Sequence, residues 1–348
     1  MAKVLQVSDD SGSNWFTLPG AEAAFNNSGD PIDDTILGQT FSSALTGLIG
    51  WSMTGTGLYK GFAGYLAKIL QVGSATSQTG EAMTLVSGKT YQINDTAKRI
   101  WDRSATVTVY DNAVDHTADV VDIDYLFGKV TFDAAYSVTG PVTIDVDTFA
   151  TSQLGKGKSF TLTQTMEPID NTDYATAQAN GGYKTFIAGL RTVALELSGI
   201  FDATVNSKDD LKNRNELIVE IDPVGTGESI ARGFFRMIDT GQSGAVGALE
   251  EETINLALNV PADDLISTVF AWQHNNTTLP TAVEKVLTAW ETETSLDGRY
   301  LPSGTPGQTP LDGASGEVWV SDVTLTGSLT GMNEFNATLQ GSGTITEV

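Results

Sequence analysis

The sequence predicts a mostly-β fold with short flanking helices, built as two tandem, pseudo-duplicated units plus a small β insertion. Three observations lead there. Apolar and polar residues alternate with period two in several separate stretches, the pattern of antiparallel sheet with one dry and one wet face. Thirty-six glycines are spread through the 348 residues, which fits many turns between short strands. The third observation is a repeated phrase: Asp30-Pro31-Ile32-Asp33-Asp34-Thr35 returns as Glu167-Pro168-Ile169-Asp170-Asn171-Thr172. An internal duplication sets the architecture before any local assignment is made.

Each copy of the phrase runs through a polar, glycine-containing stretch to a matching strand. The first passes Thr40-Phe41 to Gly47-Leu48-Ile49-Gly50-Trp51-Ser52-Met53-Thr54-Gly55, and the second passes Thr185-Phe186 to residues 189–199. In that second strand Val193, Leu195 and Leu197 share a face. The same alternation occupies residues 141–148, where Val142, Ile144 and Val146 oppose Thr143, Asp145 and Asp147. It recurs in 253–260 (Ile254, Leu256, Leu258 and Val260) and in 334–341 (Phe335, Ala337 and Leu339). Helical spacing predicts three short helices: one through Phe62, Tyr65, Leu66, Ile69 and Leu70, one through Leu265, Ile266, Val269 and Phe270, and one through Val283, Val286, Leu287 and Trp290.

The second copy continues to Gly233-Phe234-Phe235-Arg236-Met237-Ile238, a glycine-rich turn at 241–247, and a strand at 250–260. The C-terminus has the same form: residues 318–323, a turn at 327–331, then 334–341. Repeat one is therefore read as discontinuous, 1–71 plus 276–348, with repeat two at 157–275 and a small β insertion at 72–156. The polar stretches 73–80 and 151–158 read as linkers, and 296–315, carrying Pro302, Pro306 and Pro310, as an extended connector.

Composition narrows the function. The formal net charge of −24 comes from 43 acidic and 19 basic residues. A binder of nucleic-acid phosphates needs clustered Lys and Arg, which this chain lacks; acidity also keeps a concentrated protein soluble. With no cysteine, disulfides, thiolate metal sites and Cys nucleophiles are excluded together. No stretch reaches the roughly 20 apolar residues of a membrane span, and residues 1–7 do not read as a signal peptide. The expectation is synthesis in a host cytoplasm without export and without a membrane partner.

The catalytic motifs are weak. Gly155-Lys156-Gly157-Lys158-Ser159 lacks the upstream glycine of a phosphate-binding loop, because Ser152 stands there, and a strand follows it. His116 and His274 sit beside Asp115 and Asn275 and read as solvated loop residues. Asp111, Asp115, Asp119, Asp122 and Asp124 lack EF-hand spacing and read as a solvated acidic face. Asn275-Asn276-Thr277 and Asn336-Ala337-Thr338 match a glycosylation pattern that is empty without secretion. Trp51 and Trp319 are either core aromatics or inter-subunit anchors. No catalytic, cofactor or metal site is assigned, although paired carboxylates of an acidic β-rich hydrolase stay open as an alternative.

Several of these phrases resemble the tail tube proteins (major tail proteins) of long-tailed bacteriophages. The carrying residues are Gly47-Leu48-Ile49-Gly50-Trp51-Ser52 after an acidic loop, the block 91–102 followed by 122–132, the Gly233–Ile238 phrase with Glu250-Glu251-Glu252-Thr253-Ile254-Asn255-Leu256, and the closing strand 334–341. The resemblance implies a β-sandwich-like or split-barrel unit with a flanking helix. Six such units form a ring whose inner strands join into one β-barrel, and rings stack into a tube that conducts the genome. A chain with two fused units would make that ring from three copies, in the virion tail. The implied partners are the chain itself, the tape-measure, tail terminator and distal tail proteins, and double-stranded DNA that passes without specific binding. The segment 72–156, which simple single-copy members lack, is then an outer decoration. The acidic loops after the repeated phrase become candidates for ring-to-ring contact, through Asp30, Asp33, Asp34, Glu167, Asp170 and Asn171. Candidate lumen positions are Glu196, Asn255, Asn336 and Gln340 on the polar sides of long strands. Another virion decoration protein or a surface-layer β-repeat protein is the alternative.

Overall fold

The computed structural model describes residues 3–20, 22–34, 43–60, 66–154, 156–200, 207–224, 230–243, 251–260, 269–273, 279–307, 312–328 and 331–348. In chain order the strands are β1 (Val4–Ser8), β2 (Phe16–Thr17), β3 (Glu22–Asp33) and β4 (Ala44–Lys60). Then come β5 (Leu66–Ser87), β6 (Thr90–Ile93), β7 (Thr108–Asp111), β8 (Val114–Asp115), β9 (Val120–Asp124), β10 (Lys129–Phe132) and β11 (Val142–Leu154). The next group is β12 (Lys156–Met166), β13 (Ile169–Asp170), α1 (Tyr174–Ala179), β14 (Phe186–Ile187), β15 (Arg191–Ile200), α2 (Ser207–Asn213), β16 (Glu216–Asp222), β17 (Ile230–Ser243), β18 (Glu251–Leu258) and β19 (Phe270–Gln273). The chain ends with α3 (Thr281–Thr292), β20 (Leu296–Leu301), β21 (Ala314–Ser328) and β22 (Asn333–Glu347). The mostly-β class follows directly, in a sheet curled as a half-barrel.

Eight long strands pair antiparallel in the order β3–β4–β22–β21–β12–β15–β18–β17. Each alternates as the sequence predicts. Phe335, Ala337 and Leu339, with Val193, Leu195 and Leu197, Leu162, and Val323 and Leu325, face one core and are almost fully buried. Burial of apolar area at roughly 25 cal/mol per Å² holds such a sheet to what covers it. Here α3 lies against β21 and β1; its Val283, Val286, Leu287 and Trp290 are the buried stripe read from the sequence. Trp51 is a core aromatic, 2% exposed, with its indole N–H donating to the Gly343 carbonyl at 2.9 Å. Gly341 is what admits it: a Cβ there would stand 2.0 Å from Trp51 Cδ2.

A second core joins β5, β6, β7, β10 and β11 through Met83, Ile93, Trp101, Val109, Phe132 and Ile144. A third, smaller one fastens this region to β16 and β17: Ile100, Leu126 and Phe127 pack on Ile218, Phe234 and Ala271. Two arginines bolt the joint. Arg232 donates to Glu220 at 2.7 and 2.9 Å and to the Leu126 carbonyl at 2.9 Å, with its guanidinium 4.9 Å from the Phe127 ring centre. Arg103 bonds Glu216 and the Asn259 carbonyl and lies 4.3 Å over Phe234.

Several expectations are corrected. Leu66, Ile69 and Leu70 are strand, not helix: β5 pairs there with β16 and β11. A short apolar run of this kind is ambiguous between helix and strand by periodicity alone. The boundary expected between 71 and 72 falls inside β5. The described residues of 73–80 and 151–158 are not linkers but strand, with Thr76 opposite Thr148, Ser77 opposite Asp147 and Lys156 opposite Ile200; Ala75, Thr76 and Ser77 are exposed. Of the expected connector, 296–301 is β20, paired with β1 and β21. Phe270 lies in β19, while Phe62, Tyr65, Leu265, Ile266 and His274 lie outside the described residues. Asp111 and Asp124 are not solvated but 1% and 9% exposed. Asp111 is a hub, accepting from the Tyr136 hydroxyl, the Thr139 backbone N–H and the Gly140 backbone N–H at 2.7–2.8 Å.

Candidate functional site: a continuous polar sheet face

In a strand the residues flanking a buried one point the other way. The buried rows therefore fix a second face across all eight strands. Cross-strand register aligns one row as Asp239, Asn255, Glu196, Thr161, Thr326, Glu334 and Leu58. Another runs Thr192, Thr165, Asp322, Thr338, Thr54 and Ala24. The face is thus mostly hydroxyl and amide. Thr165 and Thr192 share a hydrogen bond at 2.6 Å, and Ser159 and Ser198 one at 2.5 Å. Segments 22–28, 52–58, 159–165, 192–198, 239–243, 253–257, 322–328 and 334–340 contain no Lys or Arg at all. Their charges are carboxylates: Glu22, Glu196, Asp239, Asp322 and Glu334; just outside them, exposed Arg236 stands opposite Ala257 on the same face. Burial pushes the Asp322 carboxyl above its ordinary range, partly offset by the Thr324 hydroxyl that donates to it at 3.4 Å.

The four positions singled out from sequence all fall on this face. Glu196 and Asn336 are exposed, and Asn255 and Gln340 half-buried. Gln340 sits at its margin, its amide donating to the Trp51 carbonyl at 3.0 Å. Sequence reading missed Thr54, Thr161, Thr163, Thr326 and Asp322. The parity of Val193, Leu195 and Leu197, carried strand to strand, is the signal that finds them.

At one end of the face the excursion between β12 and β15 folds over β4 and β22. The Ile49 N–H donates to Gly182 O at 2.9 Å, the Lys184 N–H to Ile49 O at 2.9 Å, and the Gly343 N–H to Lys184 O at 2.8 Å. Lys184 Nζ stands 2.8 Å from Asp30, a partner that holds its ammonium pKa above the ordinary value. The structure thus brings Asp30 against the excursion that carries Glu167, Asp170 and Asn171. Asp170, although partly desolvated, is kept below the usual carboxylate range by hydrogen bonds from Thr172 and by the charge of Lys184. Asp34 and Asn171 are engaged through backbone bonds to Ser43 O and Thr185 O. The exposed groups at this end are apolar as well as acidic: Ile32, paired with Leu45, and Ile169, paired with Ile187, all project into solvent, as do Leu190 and Tyr174.

Among the described residues no three His, Cys, Asp or Glu side chains converge as a metal site, and no helix is long and apolar enough to cross a membrane. His116 pairs with Asp119 at 2.9 Å and packs against Tyr136. Lys156, Gly157 and Lys158 open strand β12, where a phosphate-binding loop would require a helix. What the face can do chemically is present a broad, neutral-to-negative, weakly hydrogen-bonding wall.

No family model and no curated protein matches the chain. Two solved structures are similar to part of it. One is the tail of an empty gene transfer agent particle computed with C6 symmetry, at 13% identity and a TM-score of 0.28, covering 32% of this chain and 84% of the other. The second is the virion of a native gene transfer agent particle, at 13% identity and a TM-score of 0.28, covering 32% and 85%. Likeness at that level fixes no role, so the functional reading rests on the chain's own residues.

Proposed function

We propose that this chain is the structural, non-enzymatic subunit of a phage-type tail tube, with two fused tube units per chain and three chains per ring. The observation that carries the reading is the eight-strand order with its polar face poor in cations, on which Arg236, opposite Ala257, is the exposed exception. The four strands β3–β4–β22–β21 have the connectivity of β12–β15–β18–β17: strand, excursion, strand, then a hairpin that returns beside it. Repeat one is then 1–71 plus 276–348, repeat two 157–275, and 72–156 the inserted module held on the outside. A wall of Thr, Ser and Asn with scattered carboxylates repels a polyanion carrying one charge per about 1.7 Å and offers few cations on which it could stall. Glu196, Asn255, Asn336 and Gln340 would line the lumen. Asp30, Asp33, Asp34, Glu167, Asp170 and Asn171, together with Ile32 and Ile169, would meet the next ring. Tape-measure, terminator and distal tail proteins would be the end partners in a virion.

Electron microscopy of the concentrated protein tests this. The expected result is hollow tubes whose rings contain three chains and whose channel passes a DNA duplex. Closed shells or flat lattices would favour a decoration or surface-layer protein instead, and a particle without an axial channel would refute the reading.

A further inference from the structure

The chain contains one complete unit-to-unit junction, and that junction is a template for another. Strand β12 pairs with the second half of β21, Ser159 opposite Ser328 through Thr165 opposite Asp322. On the same side of β21, its first half is occupied by β20. Strand β17 is built likewise. Its first half pairs with β16, from Ala231 opposite Ile221 to Arg236 opposite Glu216. Both hairpins carry a register shift at the same place, between Val320 and Asp322 and between Met237 and Asp239. Asp239 is thereby the counterpart of Asp322. Among the described residues, however, no strand pairs with 239–243 on the side where β12 meets β21. At the other end of the sheet, β3 pairs with β4 alone, and the repeated phrase makes residues 22–28 the counterparts of 159–165.

Burial agrees with two interrupted edges. On β12 the core-facing Leu162 and Gln164 are 0% exposed, whereas their counterparts on β3 are half-buried Phe25 and exposed Asn27. On β21 Val323 and Leu325 are 0% exposed, whereas Thr240 is half-buried and Gln242 exposed. Edges are normally blunted by Lys, Pro or bulges. Neither Glu22-Ala23-Ala24-Phe25-Asn26-Asn27-Ser28 nor Asp239-Thr240-Gly241-Gln242-Ser243 contains Lys or Pro.

We infer that β3 of one copy pairs antiparallel with the open half of β17 in a second copy of this chain, in the register Ser28–Asp239, Asn27–Thr240, Asn26–Gly241, Phe25–Gln242 and Ala24–Ser243. The inference rests on the ring assembly proposed above and specifies its contact. Within one copy the two edges do not pair among the described residues; they lie seven inter-strand steps apart, roughly 34 Å measured along the curled sheet at about 4.8 Å each.

The absence of cysteine makes the test clean. Directly opposed residues in an antiparallel pair have Cα atoms about 4.5–5.5 Å apart, within disulfide reach. A Cβ at Gly241 meets nothing within 4 Å, so Gly241→Cys is tolerated. Asn26→Cys and Gly241→Cys proteins, mixed and oxidised under assembly conditions, should give a reducible covalent dimer. Ser28→Cys mixed with Ser243→Cys is displaced by four residues, about 13 Å, and should give at least tenfold less. The double variant Asn26→Cys/Gly241→Cys should close into a covalent ring of whole-number copies. Hollow tubes without the in-register dimer, or with equal yield from the displaced pair, would overturn the inference and leave the tube reading intact. In-register dimers from particles without a channel would support the pairing and overturn the tube.

Discussion

Replacing Arg232 by Met should loosen the second core from β16 and β17. The guanidinium is 14% exposed and the Glu220 carboxylate it grips is 10% exposed, at a closest approach of 2.7 Å. Unit charges at that separation attract by about 6 kcal/mol at an effective dielectric near 20, much of it offset by the cost of taking both out of water. Removing one partner takes away the attraction but not the burial of the other, and typically costs about 3–5 kcal/mol. The bond to Leu126 O and the stacking on Phe127 go with it. Arg232→Met should therefore lower the midpoint of thermal and urea unfolding and open the joint to limited proteolysis, while Arg232→Met/Glu220→Leu regains part of the loss because no charge stays inside. A loss below about 1 kcal/mol, or a double variant whose loss equals the sum of the singles, would refute the view that this pair is a closed, desolvated clamp.

Trp51→Ala should destabilise the eight-strand sheet by about 3–5 kcal/mol through cavity formation, and Gly341→Val should destabilise it from the opposite side by driving a side chain into the indole ring; chemical denaturation reads both. The hydrogen bonds around Asp111 hold its carboxyl below the ordinary range despite desolvation. Its stabilising contribution is thus complete above the unfolded-state value near 4 and is lost as pH falls through the lower folded value. The melting-temperature gap between wild type and Asp111→Asn should be widest near neutrality and shrink in acid. Glu196→Lys/Glu334→Lys adds two cations per chain to the polar face; filter retention of duplex DNA, absent in the parent, should appear with a salt slope of up to about −1.8 for the two contacts. Lys184→Ala should cost under about 1 kcal/mol, because Asp30 is 64% exposed.

The strands that alternate cleanly were legible from the residues alone: β11, β15, β18 and β22, and α3 among helices, because one side of each is wet. Strand β5 was misread at 66–70, since Leu66, Ile69 and Leu70 around Lys68 show helical spacing and a short apolar run cannot be told from a helix by periodicity alone. The opposite failure occurred at 73–80 and 151–154, where small polar residues within a ladder look like loop chemistry. The lumen candidates Glu196, Asn255 and Asn336 came from parity within single strands. The register that aligns Asp239, Asn255, Glu196, Thr161, Thr326 and Glu334 in one row is a long-range property, invisible until β12 is seen beside β21. The buried roles of Asp111 and Asp124 were hidden for a related reason: their partners, such as Tyr136 and Thr139, come from a neighbouring turn rather than from the strand that carries them.

The distribution of cations ties these observations together. With 19 Lys and Arg against 43 carboxylates, the chain could scatter its positive charge evenly and still be acidic. Instead many of its cations serve as clamps away from the polar face, Arg236 opposite Ala257 being an exposed exception. Arg103 and Arg232 join the second core to β16 and β17, Lys98 pairs with Glu81, Arg191 bonds the C-terminal carbonyls of α3, Lys285 of that helix pairs with Asp9, and Arg299 binds Gln6 on β1. Lys158 and Lys184, at the margins of the face, are each held by a carboxylate at 2.5 and 2.8 Å. A net charge of −24 merely to keep the protein soluble would not demand that partition, because solubility depends on the total and not on which side of a sheet bears it. A surface along which a polyanion must slide does demand it, since a few unpaired lysines in a repeating wall would recur at every ring and sum into a continuous binding track.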